Sequence, residues 1–399
     1  MLDTSSFQPL FPEERVLSEP RERTSTLLQK VQVLSAYQKT PVGQAVAPLL
    51  RSMNSYYSNK IEGQHTTPAN IEQALRRQYS TDSDEKTKQL LAIAHIRTEE
   101  ALEQRLAGMQ IEDLFDPVFV QHIHRLFFDA MPAEYRQSEQ GENVIPGEYR
   151  GKSVRVGKHI APEPAVIPRL MREWSGCYRR IRGLESILIA TACSHHRLAW
   201  VHPFIDGNGR VCRLHTHLIL HRIGLTQGLW SPLRAFARSQ ETYYARLANA
   251  DLQRRNDLDG RGNLSQEELV NFVLYFLDCC LDQIDFMLGM MDFAGLRSRL
   301  HHLLAYLHAN PWQIGSEKSL IKPEKTLLAL ETAALMRPLS RGEFAQILGE
   351  SAATTRRVTR SLIDFGILRS GSHRDDLHFA LPLQSLRFVF PRLWPEAEV

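Results

Sequence analysis

The chain has 399 residues, 43% of them hydrophobic and 23% charged, with 48 basic against 45 acidic side chains and a formal net charge of +3. This length predicts two or three domains with ample apolar material for cores, and the balanced charge excludes a whole-chain polycation or an acidic tail protein. No run approaches the ~18 uninterrupted apolar residues of a membrane span, and the N-terminal MLDTSSFQPLFPEERV lacks the features of a secretory signal. Five cysteines without a CxxC pair are expected as reduced, mostly buried thiols. A cytoplasmic protein with no membrane partner is the expectation.

Apolar periodicity predicts mostly helix. Leu50, Met53, Tyr57 and Ile61 recur at three- and four-residue steps, so one stripe lies on a helix that Gly63 can cap. Thr66-Thr67-Pro68 reads as the entry to the next helix. Further helices are expected at roughly 86–106, 117–129, 165–181, 185–198, 210–222, 239–252 and 266–290. The stretch 149–164 departs from this pattern. There Val154 and Val156 flank Arg155 in strict alternation between two glycines, as a short exposed hairpin would.

Near residue 300 the character changes. Ser340 and Glu343 fit a capping box, Leu348-Gly349-Glu350 a turn, and Ser351 the cap of a second helix. On that helix Val358, Leu362 and Phe365 share a face opposite Arg356 and Arg360, and Gly366 stops it. Two short apolar segments around a polar tip follow, giving the order of a winged helix over roughly 325–385.

The densest chemical signal is His202-Pro203-Phe204-Ile205-Asp206-Gly207-Asn208-Gly209-Arg210, followed by Val211-Cys212-Arg213. Gly207-Asn208-Gly209 can turn sharply and expose consecutive backbone N–H groups, and Val211, Leu214 and Leu218 then start an apolar helical stripe. Free amides at the positive end of a helix make an anion site, most simply for phosphates. Arg210 and Arg213, three residues apart, can lean over the same anion with forks that suit phosphate oxygens. Asp206 is a hard oxygen ligand of the kind magnesium needs, and His202 has the intrinsic pKa of a general base. Together they point to phosphoryl or nucleotidyl transfer.

HPFIDGNGRVCR resembles the defining motif of the Fic (filamentation induced by cyclic AMP) family, over roughly 45–280 of the chain. The resemblance implies a protein adenylyltransferase that moves AMP from ATP, with Mg²⁺, to a Ser, Thr or Tyr hydroxyl of a target protein. His202 would then be the base, Phe204 the anchor of the loop, Asp206 the magnesium ligand and Gly207, Asn208 and Gly209 the phosphate cradle. Arg210 and Arg213 would bind the outer phosphates. The hairpin with Val154, Arg155 and Val156 would be the flap that holds the target segment. Tyr243, Tyr244 and Asn249 would line the adenine pocket.

Ser58-Asn59-Lys60-Ile61-Glu62-Gly63 resembles the inhibitory motif of the same family, and implies that Glu62 pairs with Arg213 to hold the enzyme off. Ser58 and Glu62 are one helical turn apart, so they share a face. Self-modification and a symmetric homodimer are further expectations. Rival readings on the same site are AMP removal or transfer from another nucleotide or phosphocholine donor. A different class of rival is a nucleotide-sensing regulator whose winged helix binds DNA through Arg356, Arg357 and Arg360. Asn256 to Asn263 glances at a calcium loop, but Arg255 and Gln266 stand where its end ligands belong. Histidines 195, 196, 202, 215, 217 and 221 show no HExxH spacing and are expected mostly as polar or core residues, not as a transition-metal site. The expected architecture is mainly α: an N-terminal helical region over 1–110 with its inhibitory motif at 58–63, a catalytic core over 116–285 and a winged-helix-like domain over 300–399.

Overall fold

The computed structural model describes residues 4–138, 140–157, 159–315 and 321–393. Among these the chain is mainly α, with seventeen α-helices and two two-stranded antiparallel hairpins. It divides into two compact units, Met1–Val31 with Asn54–Ile284, and Gln32–Met53 with Asp285–Val399. Residues 54–110 therefore share a unit with the His202–Arg213 motif, while 32–53 group with the C-terminal region. All five cysteines are free thiols, four of them buried. No helix among the described residues is long and apolar enough to cross a membrane.

The first helices are α1 (Ser18–Gln38) and α2 (Pro41–Ile61), and on α2 Leu50, Met53, Tyr57 and Ile61 are all buried. In the first unit α3 (Pro68–Leu75) starts where Thr67 accepts a hydrogen bond from the Asn70 amide, with Pro68 at the first helical position. Asp82 caps α4 (Ser83–Leu106) in the same way, and α5 (Ile111–Leu114) leads to α6 (Pro117–Asp129), capped by Asp116. A hairpin of β1 (Arg155–Val156) and β2 (His159–Ile160) precedes α7 (Ile167–Tyr178). Then come α8 (Leu184–Val201), α9 (Asn208–Arg222), α10 (Leu233–Arg238), α11 (Gln240–Asn249) and α12 (Gln266–Met291).

The centre of this unit is α8 packed on α9, with α7 against α8 and both α4 and α6 against α9. From Leu188 onward α8 is buried on nearly every side, so its polar residues need internal partners. His195 meets the Thr216 hydroxyl at 2.7 Å and the Tyr243 hydroxyl at 2.8 Å, while Arg197 donates to the carbonyls of Pro9 and Ala250. These bonds fix the helix that leads into the loop after Val201.

The second unit contains α13 (Phe293–Ala309), α14 (Pro323–Leu335), α15 (Arg341–Leu348) and α16 (Ala352–Phe365). Ser340 and Glu343 form a reciprocal capping box at the start of α15, and Gly349 ends it with φ 63°. Ser351 caps α16, which stops at Gly366 with φ 92°; L side chains rarely adopt that geometry. Strand β3 (Leu368–Arg369) pairs antiparallel with β4 (His378–Phe379), a bridge between Leu339 and Leu377 extends the pairing, and α17 (Leu386–Val389) follows. Val358, Leu362 and Phe365 are buried and Arg356, Arg357 and Arg360 exposed. Of the region 300–399, residues 316–320 and 394–399 lie outside the described residues.

Candidate active site

His202 ends α8 in the left-handed region, φ 49° and ψ 61°, which turns the chain sharply out of the helix. Phe204 is buried and stacks on the His124 ring at 3.9 Å between centroids. Asn208 closes the loop: its side chain accepts from the Phe204 amide at 2.9 Å and donates to the Phe204 carbonyl at 2.8 Å. Gly207, at φ 78°, is required twice over, because a Cβ there would also stand 2.7 Å from the Phe128 ring. The loop thereby delivers the N-terminus of α9, with Gly209 in its first turn.

Both arginines of the first two turns of α9 are nearly inaccessible, Arg210 at 3% and Arg213 at 1%. Arg213 donates to the Ser58 hydroxyl and carbonyl, each at 3.0 Å, and to Glu62 Oε1 at 2.5 Å. Arg210 donates to Gln64 Oε1 and lies over the Phe127 ring. Its Nε and Nη1 are buried without a hydrogen-bond partner. The Glu62 carboxylate sits over Gly209, where a Cβ would fall 2.2 Å from Oε1. A carboxylate thus occupies the space at the helix N-terminus that the backbone makes favourable for an anion.

The electrostatics agree with that reading. Burial pushes the Glu62 carboxyl up, but Arg213 and Arg210 outweigh it and hold the group below its ordinary range. Burial works against the Arg213 charge, and Glu62 more than restores it. For His202, burial first and then Arg150 and His159 push the imidazole down to about 4, against a smaller opposing effect of Glu62. At neutral pH His202 is therefore an unprotonated ring able to accept a proton.

The end of α2 is held by its carbonyls. The Asn59 and Lys60 carbonyls accept from the amides of Gln64 and Gly63, with Gly63 at φ 70°. The Ile61 carbonyl accepts from Gln240 Nε2 and from the Tyr244 hydroxyl, both at 2.9 Å. Together with the Ser58 carbonyl on Arg213, all four carbonyls of the last turn have partners.

Tyr244 is 44% exposed and touches the end of α2, whereas Tyr243 is 2% exposed, stacked on Phe236 and hydrogen-bonded to His195. Asn249 is exposed at the far end of α11. The Tyr243 and Tyr244 rings are 5.5 Å apart between centroids. Val154 and the exposed Arg155 and Val156 lie on the hairpin, and Lys158 is outside the described residues. Arg150 fastens the hairpin to the loop, donating to the His202 carbonyl at 2.8 Å while its amide donates to the Pro203 carbonyl. His159 reaches the Trp200 carbonyl at 2.8 Å. Gln64, Arg150 and Gln240 were not singled out by sequence reasoning, because nothing in their local pattern marks a partner 52 to 179 residues away.

As to a magnesium ion, Asp206 offers carboxylate oxygens at the mouth of the loop, with Oδ1 accepting from the Gly207 amide at 2.5 Å. That donor is of the hard type the ion takes, and the residues present fit it.

A histidine followed by a glycine loop at a helix N-terminus, on a mainly helical scaffold, has the geometry of an anion site. Residues 114–220 match the model of the Fic/DOC family. Within this segment the chain carries a Fic/DOC-type domain. It is 32% identical over 137 residues to the protein adenylyltransferase Fic of Drosophila erecta, covering 33% of this chain and 26% of that protein. To the Drosophila mojavensis relative of the same name it is 30% identical over 132 residues, covering the same shares. The match thus spans about a quarter of the length of these relatives. A Fic family protein from Desulfovibrio desulfuricans shares the fold, with a TM-score of 0.52 at 18% identity, over 90% of this chain and 96% of that one.

Proposed function

We propose that this protein is an ATP-dependent protein adenylyltransferase held off by Glu62. The observation that carries the reading is the Glu62 carboxylate lying over Gly209 and against Arg213. The names of the Drosophila relatives support the chemistry at the level of the family. In this reading His202 takes the proton from a Ser, Thr or Tyr hydroxyl of the target as its oxygen attacks the α-phosphorus of ATP. The new O–P bond forms in line as the bond to the β-phosphate oxygen breaks, and pyrophosphate leaves with the electron pair.

The α9 amides and Arg210 would receive the phosphate oxygens, and the unpartnered Nε and Nη1 of Arg210 are donors suited to that task. Asp206 would hold the magnesium ion, which when bound screens charge on the ATP phosphates. The hairpin would align the target backbone beside His202 through its open strand edge. An arginine held by a carboxylate cannot orient the outer phosphate, and positioning is most of the catalysis in such transfers. The elements from α14 to β4 fit a winged helix, which we read as a domain for interaction with partners.

Incubation with α-labelled ATP and Mg²⁺ tests the reading in three forms: wild type, Glu62→Gly and Glu62→Gly/His202→Ala. Strong labelling of protein by the single variant, weak labelling by wild type and none by the double variant is expected. Absence of labelling from all three, on the protein itself and in a cell lysate, removes ATP as the donor.

A further inference from the structure

Two pairs of metal-ligand residues face each other where α4 packs on α9. Glu99 and Glu103 stand one turn apart on α4, and His217 and His221 one turn apart on α9. His217 Nε2 is 3.0 Å from Glu103 Oε1, and His221 Nδ1 is 3.4 Å from the same oxygen. Ligand atoms of Glu103, His217 and His221 all lie within 4.8 Å of one another. Glu99 Oε1 is 3.5 Å from His217 Nε2, and accepts from Asn54 Nδ2 at 2.9 Å. Side-chain exposures are 1% for Glu99, 9% for Glu103, 3% for His217 and 28% for His221.

We infer that Glu103, His217 and His221 form a binding site for a divalent transition metal of the zinc type. Four ligands about 2.0–2.1 Å from a tetrahedral ion lie roughly 3.3 Å from one another, and the separations of 3.0 and 3.4 Å need little adjustment to reach it. Two imidazoles with one carboxylate is a donor set that zinc accepts and that magnesium and calcium do not favour. Glu99, oriented by Asn54, stands next to the site as the fourth ligand or as an outer partner of His217. The partly exposed His221 ring leaves a route for the ion. The Thr226 hydroxyl, 3.3 Å from His221 Nδ1, shares that nitrogen with Glu103.

The site is distinct from Asp206 and makes no use of the adenylyltransferase reading. Its test uses the full chain stripped with a chelator, exposed to zinc chloride, desalted and assayed for metal content, with melting followed in parallel. Wild type is expected to retain one zinc per chain and to melt higher with zinc but not with magnesium. His221→Ala and Glu103→Gln should each lose the ion, by more than the ~10–100-fold in affinity that changes in outer partners cost. His202→Ala should retain it, which separates this site from the catalytic loop. Cobalt(II) added to wild type should give the intense visible bands of a tetrahedral ion, a readout that needs no variant to fold. Equal zinc retention in wild type and both ligand variants, or a cobalt spectrum without tetrahedral bands, would overturn the site.

Discussion

Glu62 Oε1 and Arg213 Nη2 meet at 2.5 Å, joining the end of α2 to α9 through a guanidinium that is 1% exposed. Because Arg213 is buried, removal of its carboxylate leaves a charge held by Ser58. Loss of one partner of a fully buried pair costs ~3–5 kcal/mol, and with Glu62 itself 28% exposed we expect about 1–3 kcal/mol for Glu62→Gly. ATP should then replace the missing anion. Its effect on the melting temperature is expected to be larger in Glu62→Gly than in wild type, and an equal shift in the two would show that Glu62 does not compete with the nucleotide.

Gln64 is expected to act as a second restraint, on Arg210. Its side-chain oxygen accepts from the Arg210 guanidinium, so the segment from Ser58 to Gln64 reaches both arginines of the motif. A hydrogen bond to a charged group is worth about 1.5–3 kcal/mol, of which an incoming phosphate must first displace the Gln64 share. Gln64→Ala should therefore tighten ATP binding by roughly tenfold or more in a calorimetric titration. Identical affinities for Gln64→Ala and wild type would exclude this role.

Asn208 is expected to serve the shape of the loop through its two bonds to the Phe204 backbone. Asn208→Ala leaves a buried N–H and a buried carbonyl without those partners, at about 1–3 kcal/mol for each group. In the Glu62→Gly background it should abolish labelling and lower the urea midpoint together. Lost labelling with an unchanged midpoint would instead point to direct contact between Asn208 and the nucleotide.

The buried histidines set the response to acid. Burial pushes His124 down to about 3 and His215 down to about 4, while in the unfolded chain both titrate near their ordinary value of about 6.5. Below about pH 6.5 the unfolded chain therefore binds protons that the folded chain refuses, and stability falls as pH drops toward about 4. Each such histidine contributes a slope of up to ~1.4 kcal/mol per pH unit in that window. His215 donates through Nε2 to the Leu114 carbonyl at 2.7 Å, a bond that glutamine can imitate. Urea midpoints of His215→Gln should decline less between about pH 7 and pH 5 than those of wild type, and an equal decline would assign the acid sensitivity elsewhere.

Local pattern was enough for the mainly α architecture, because each helix end is marked by residues acting within a few positions of it. Thr67, Ser340, Ser351, Gly63 and Gly366 all cap the helices where the sequence predicts. The loop from His202 to Arg213 was legible for the same reason: a glycine turn, a helix start and two arginines one turn apart are contiguous in the chain. What only the tertiary structure decided are the pairings between distant segments. Gln64 with Arg210 is a contact across 146 residues, and Glu103 with His217 across 114. Tyr243 is buried against Phe236 while its neighbour Tyr244 rests on the end of α2. Adjacent helical residues point about 100° apart, and which of them meets a core or a site is set by the neighbouring helices, whose positions no single segment encodes.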